Sequence, residues 1–390
     1  MSIKGKAYIV GAYEHPTRKA PDKSVAQLHA ECAIGALKDA GLTKDDIDGY
    51  ICAGDAPGMG PINMIDYMNL TKIRFMDSTD VGGSSYLLHV AHAAQAIALG
   101  RASVVLITLA GRPRSEGQAT GTAPRAGNPL VPDTQFEQQY GAVTGNGYAM
   151  VAARHMHEFG TTSEQLAWIK VAASHHAQYN EHALLRDVVT VEDVVNSPMV
   201  ATPLHRLDCC VITDGGGALI VTKPEIAKSL KRPLVKVIGV GEAAKNQSGG
   251  EVDLTYSAAR WSGPPAWAMA GIKPSDIKYA SIYDSFTITV LMQLEDLGFC
   301  EKGQGGKFVM DGNLISGVGK LPFNTDGGGL CSNHPANRGG ITKIIEAVRQ
   351  LRGEAHPKVQ VPNCDLAIAH GTGGSLGTRH VGSTVILERE

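Results

Sequence analysis

The chain has few aromatic residues and almost no net charge. Phe, Trp and Tyr make up 5% of its 390 residues, and 36 basic side chains face 38 acidic ones for a formal net charge of −2. Without a basic excess there is no electrostatic footprint for a nucleic acid. No apolar run reaches the roughly 20 residues that a membrane-spanning helix needs. The opening MSIKGKAYIVG runs from a short basic start into an apolar strand and does not read as a secretory signal. The cysteines, at 32, 52, 209, 210, 300, 331 and 364, form no C-x-x-C pair and no zinc-ligand spacing, and their number is odd. That excludes a disulfide framework and points to a reducing, cytoplasmic setting. His89 and His92 stand at i, i+3 with no further ligand types beside them, so they read as packing residues and no metal site is assigned.

Glycine is abundant, with 46 residues clustered at turns, and much of it belongs to an internal repeat. The stretch Ala40 to Ile51 returns as Ala270 to Ile282: a helix stops at Gly, an acidic turn follows, and an apolar strand runs on. Lys6–Gly11 (KAYIVG) parallels Lys236–Gly241 (KVIGVG), and Gly216–Val221 parallels Gly382–Leu387. A chain of this length suits two domains or a duplicated one. Strands alternating with helices predict an α/β fold with two βαβαβ halves. The first half spans 1–222 and the second 230–390. Duplicated units bury a face against each other, which puts the functional site among the strand tips and helix starts of both.

Residues 110 to about 205 interrupt the first half. They open with the loop chemistry of Gly111-Arg112-Pro113-Arg114-Ser115-Glu116-Gly117 and go on to two helical stretches, 148–159 and 163–180. A long insertion at a strand tip reads as a lid or substrate-binding subdomain. In the second half, Pro264-Pro265 predicts a helix that restarts at its first turn.

Six segments carry a family resemblance: VGGSSYLLHVAHAAQAIALG at 81–100, RHMHEFGTTSEQLAWIKV at 154–171, LDCCVITDGGGAL at 207–219, IYDSFT at 282–287, NTDGGGLCSNHPANRGG at 324–340 and AHGTGGSLG at 369–377. In these, and in their order, the chain resembles the thiolase superfamily along nearly its full length. Within it the chain is similar to the sterol-carrier-protein-type thiolases and their lipid-transfer relatives. The resemblance implies a five-layered α/β/α/β/α arrangement with an inserted loop domain. It implies an acyl-CoA substrate, with coenzyme A as part of that substrate and no tightly bound cofactor. It also implies a homodimer and a separate small partner built from an OB-fold and a zinc ribbon.

The departures from the thiolase pattern narrow the chemistry. The family's nucleophilic cysteine, at the start of the first-half helix, falls at Gly83, so the nucleophile position is vacant. The acid/base cysteine of the C-terminal Gly-rich loop falls at His370. The Asn or His of the second-half motif falls at Tyr283. The His of the Gly-His-Pro motif is kept as His334. A Gly at 83 is expected to free space beside the reacting carbon. Ser84 and Ser85 read as helix caps, with a backbone oxyanion site at Gly83–Ser85 and Gly373. Arg112, Arg114 and Arg125 are the local candidates for CoA phosphates.

An enolate-stabilising site with a base and no nucleophile suits retro-aldol cleavage of a β-hydroxyacyl-CoA. The resemblance is then to thiolase-like steroid side-chain aldolases, which carry a second Tyr before the His of their His-Pro motif. Here Ser332 or Asn333 takes that place. Two other readings remain: a thiolase-type acyltransferase on a 3-oxoacyl-CoA, and a non-catalytic subunit of an acyl-CoA enzyme complex. If the lyase reading holds, Tyr283, His334 and His370 are expected to converge on one cavity, with His370 as base and His334 as donor to the thioester oxygen.

Overall fold

The two halves build their sheets in the same strand order. The computed structural model describes residues 2–120, 138–140, 143–246, 252–335, 339–376 and 378–390. In the first half, β1 (Tyr8–Glu14), β2 (Gly49–Ile51), β3 (Phe75–Asp77), β4 (Val104–Gly111) and β5 (Gly215–Thr222) lie in the order β3-β2-β4-β5-β1. In the second, β6 (Val235–Lys245), β7 (Tyr279–Ile282), β8 (Leu366–Ser375) and β9 (Thr378–Arg389) continue as β6-β9-β8-β7. A parallel bridge from Ala280 to Phe323 stands where β3 stands in the first half. Directions match as well. The β1–β5, β4–β5, β6–β9 and β8–β9 pairs are antiparallel, and β2–β4 and β7–β8 are parallel. The halves join through Tyr8 of β1 and Lys236 of β6, making one nine-stranded mixed sheet.

Helices fill the remaining layers: α1 (Val25–Ala40), α2 (Ser85–Ala98), α3 (Thr144–Phe159), α4 (Ser163–Ala177), α5 (Ala259–Ala270), α6 (Thr287–Asp296), α7 (Gly328–Cys331) and α8 (Gly340–Arg352). Helices α2 and α8 are buried over most of their lengths. They share one core with Ile51, Val105 and Leu219 of the first half and Val240, Ala367 and Val385 of the second. A helix apolar or buried all round belongs to the middle of a layered protein. Helix α1 packs on the outer face of the first half, around Tyr50, Leu106 and Ile220. Helices α5 and α6 cover the outer face of the second, where α3 and α4 of the insertion join the same core. The order is therefore α, β, α, β, α.

Both halves use glycine for the same two purposes. Gly41 and Gly271 end α1 and α5, each at φ 72°, a left-handed conformation that favours glycine. Gly11 of β1 and Gly241 of β6 let those helices approach their sheets. A Cβ at Gly11 would lie 2.5 Å from the Ala36 carbonyl oxygen, and one at Gly241 2.0 Å from that of Ser262. The two prolines behave differently from the sequence expectation. Helix α5 runs through Pro264 and Pro265 without a restart, and both prolines are exposed.

Backbone atoms do not yield as the tip of a side chain does. Gly241→Ala is expected to lower stability by about 1–3 kcal/mol through overpacking. Gly41→Ala has open space and incurs only the left-handed backbone cost, about 1 kcal/mol. Chemical denaturation of the two variants measures this; equal losses would contradict the account.

Candidate active site

Strand β7 delivers Tyr283 to the middle of the molecule. The Tyr283 amide N–H donates to the His370 carbonyl at 2.9 Å, and its carbonyl accepts from Gln293 Nε2 of α6 at 2.7 Å. The backbone is thus held from two sides. The phenol oxygen meets His334 Nε2 at 2.9 Å, with the two rings edge to face, 5.6 Å between centroids and 75° between planes. Which of the two donates is set by the tautomer of His334. With its proton on Nδ1 the imidazole accepts from the phenol, and Nδ1 is buried with no partner among the described residues.

His334 is placed by its own loop. Its amide N–H donates to Thr213 Oγ1 at 2.8 Å, and Thr213 Oγ1 donates to Asn333 Oδ1 at 2.7 Å. Asn333 Nδ2 in turn donates to Glu14 Oε1 at 2.7 Å, and Arg18 holds both Glu14 and the Ser332 carbonyl. Asn333 is thus engaged with β1 rather than with the phenol. A Cβ on Gly329 or Gly339 would stand 3.2 or 3.3 Å from His334 Cδ2, so these two glycines border the ring.

Burial sets both protonation states. Loss of solvent pushes the Tyr283 phenol well above the usual tyrosine range, so it stays protonated. Desolvation lowers His334 to about 4, against the pull of Asp284 and with help from Lys343. At neutral pH the pair is a protonated phenol in hydrogen-bond contact with a neutral imidazole.

Two expectations need correction. Gly83 does not leave free space. A Cβ there would lie 2.4 Å from Tyr283 Cζ and 2.3 Å from the Thr372 carbonyl oxygen, so the phenol ring fills the place a side chain would take. His370 does not converge with the other two. Along β8 alternate residues face opposite sides. A Cβ on Gly371 would face Ser84 and Leu87 of α2. The His370 ring lies on the other face, with Nδ1 2.9 Å from Thr384 Oγ1, which meets Ser262 of α5 at 3.0 Å. Burial and the nearby His380 hold its pKa down at about 3.

The other candidates form walls. Ser85 Oγ donates to the Gly82 carbonyl and accepts from Val81 N, and Ser84 Oγ donates to the Val81 and Val381 carbonyls. Both hydroxyls are engaged in the turn that opens α2. Gly373 lies against Val81, whose carbonyl oxygen a Cβ would meet at 1.5 Å. Arg112 donates to the Pro21 carbonyl, and Arg114 is exposed with its amide on Asp214. Arg125 lies outside the described residues. The insertion reaches the site through Tyr148 of α3, which stacks on Phe286 at 4.2 Å. Thr213, Gly339, Asp284 and Lys343 were not picked out from sequence. Only Asp284, adjacent to Tyr283, carried a signal.

A buried phenol–imidazole pair lies inside a duplicated α/β/α/β/α fold, and residue 83 beside it has no side chain. Residues 241–389 match the family described as thiolase C-terminal domain-like. An acetyl-CoA acetyltransferase of Methanothermobacter thermautotrophicus is 34% identical over 372 residues, covering 92% of this chain and 94% of that protein. A 17-hydroxy-3-oxo-4-pregnene-20-carboxyl-CoA lyase of Mycobacterium tuberculosis is 34% identical over 397 residues, covering 95% and 97%. Among solved structures, one described as the Ltp2-ChsH2(DUF35) aldolase superposes with a TM-score of 0.89 at 32% identity, covering 99% of this chain and 98% of that one. The chain belongs to the thiolase family, in its thiolase-like aldolase branch.

Gly83→Ala is expected to cost about 1–3 kcal/mol and to move the phenol off His334. A denaturation midpoint equal to wild type would show that the 83 position has room. The second expectation concerns His370. In the unfolded chain it protonates near 6.5, while in the folded chain it stays neutral to about 3. Its contribution is fully present above about pH 6.5 and is lost as pH falls through that value. Between about pH 6 and 4, His370→Asn should therefore flatten the fall of stability with acid by roughly 1.4 kcal/mol per pH unit. Parallel slopes for the two proteins would contradict this.

Proposed function

We propose that the protein is a carbon–carbon lyase that cleaves a β-hydroxyacyl-CoA by a retro-aldol reaction. The observation that carries this reading is the Tyr283–His334 hydrogen bond in a site whose residue 83 has no side chain. Coenzyme A enters as part of the substrate, and the site residues are Tyr283 and His334. His370 is assigned a packing role.

The chemistry follows from the protonation states. The β-hydroxyl gives its proton to the Tyr283 oxygen as Tyr283 passes its own to His334 Nε2. The Cα–Cβ bond breaks, releasing a carbonyl compound and leaving a thioester enolate. His334 is then an imidazolium. Its Nδ1–H donates to the enolate oxygen, and hydrogen bonds between charged groups are the strong ones. The proton on Nε2 returns through Tyr283 to the α-carbon. The substrate's hydroxyl proton thus ends on the product's α-carbon, and no covalent adduct forms. Imidazole near its buried value is a weak base, but the enolate that forms beside it favours the imidazolium.

The acyltransferase reading requires an acyl-enzyme or direct attack by a thiol. No cysteine stands at 83, and the Ser84 and Ser85 hydroxyls are engaged with backbone groups. All seven cysteines are free thiols, which supports a reducing cytoplasmic location. The likeness to a two-protein aldolase supports work as a homodimer with a small second protein, of the OB-fold and zinc-ribbon kind that the resemblance implies.

The test is turnover of a β-hydroxyacyl-CoA with a tertiary or secondary hydroxyl, following both the carbonyl product and the shortened acyl-CoA. Tyr283→Phe and His334→Gln are each expected to lower turnover by about a hundredfold or more. His370→Asn is expected to stay within about tenfold of wild type. A covalent acyl adduct by intact-protein mass measurement, or near-wild-type rates for Tyr283→Phe and His334→Gln, would overturn the lyase reading.

A further inference from the structure

Asp284 follows Tyr283 directly, and its carboxylate joins three parts of the site. Oδ1 accepts from the Gly329 N–H at 2.9 Å and from Lys343 Nζ of α8 at 2.7 Å. Oδ2 accepts from the Leu330 N–H at 3.1 Å. The chain running out of α7 carries His334, so one carboxylate ties the end of β7 to the loop that bears the imidazole. The fit is close. A Cβ on Gly328 would lie 2.1 Å from Asp284 Oδ2, and one on Gly329 would lie 3.0 Å from Oδ1 and 3.2 Å from His334 Cδ2. Carboxylate and imidazole therefore both border the backbone of Gly329. Asp284 and Lys343 are almost fully buried, with side chains 1% and 3% exposed.

A buried carboxylate this close to an imidazole favours the imidazolium, and a charged His334 cannot take the proton of Tyr283. Among the described residues, the groups that bear on His334 are few. Tyr283 and Asp284 face it from the end of β7 and Lys343 from α8. Glu14 of β1 and Arg18 reach its loop through Asn333 and Ser332. Asp284 draws a proton toward His334 and Lys343 opposes it, while burial, the larger effect, keeps the ring neutral.

We propose that Asp284 and Lys343 are positioning residues for the Tyr283–His334 pair. Asp284 clamps the loop of His334 to the strand end that carries Tyr283, and Lys343 cancels the charge of the clamp at the imidazole. The proposal rests on the reading of Tyr283 and His334 as the reacting groups, but its test needs no turnover. Histidine labelled with carbon-13 at Cε1 is titrated by NMR in the full chain, with the His334 signal assigned by its loss in His334→Gln.

In the wild type that signal should stay at its neutral position from about pH 5.5 to 8. In Lys343→Gln, which keeps an N–H donor for Asp284, the titration should move up by about two pH units, into that window. Lys343→Arg keeps the charge and should behave as wild type. Asp284→Asn/Lys343→Gln removes both charges and should also leave His334 neutral throughout. The double variant keeps the proposal testable if Lys343→Gln does not fold, since a midpoint inside the window in that variant would overturn it. A His334 signal in folded Lys343→Gln that matches wild type would overturn it as well. Should the lyase reading fail, a shifted titration in Lys343→Gln would still establish the electrostatic role of the pair.

Discussion

A phenol ring occupies the space that a side chain at residue 83 would need, and the rest of the site follows from that steric fact. The amino end of α2 is a place where a thiol would be activated by the helix dipole. Here Gly83 leaves the place to Tyr283, and the Thr372 carbonyl closes it from the other side. With the ring in that position the phenol oxygen reaches His334. A side chain at 83 and the Tyr283 ring in this position exclude each other, and the proposed proton transfer rests on that packing.

The duplicated fold gives this packing its rigidity. Each half places one helix in the middle layer, and the site lies where the start of α2 from one half meets the β7 end and the His334 loop of the other. Both ring-bearing segments are held by backbone hydrogen bonds rather than by side chains alone. Tyr283 is anchored through His370 and Gln293, and His334 through Thr213. Burial does the remaining work, since it raises the phenol and lowers the imidazole, and so keeps the phenol protonated and the imidazole neutral.

Much of this was legible in the sequence. The repeat of Ala40–Ile51 at Ala270–Ile282 carries the topology, because a helix stop, a turn and a strand recur in step. Tyr283 and His334 were legible as candidates through the thiolase resemblance of IYDSFT and of the Asn333-His334-Pro335 stretch, and the structure brings the two rings together. The facing of His370 was not read correctly. Strand β8 is buried on both sides, so its apolar pattern does not say which way a residue points. The glycines did carry a clue, since Gly371 and Gly373 mark the side where α2 and its opening turn come close, which leaves His370 for the other. The content of the space at Gly83 was also hidden, because a missing side chain in a sequence does not reveal what fills its volume. Lys343 gave no signal, as a lysine on a helix is ordinarily a solvated one.

The account turns on whether Tyr283 and His334 move a proton at the α-carbon of an acyl-CoA. The enolate of the shortened product must form in the reverse direction too, so exchange at that carbon can be followed without the carbonyl partner. The direct measurement is deuterium uptake at the α-carbon of propionyl-CoA in heavy water, read by mass spectrometry. Uptake with the wild type and with His370→Asn, and loss of it with Tyr283→Phe and His334→Gln, is the predicted result. Uptake that persists in Tyr283→Phe and His334→Gln at the wild-type rate would contradict it.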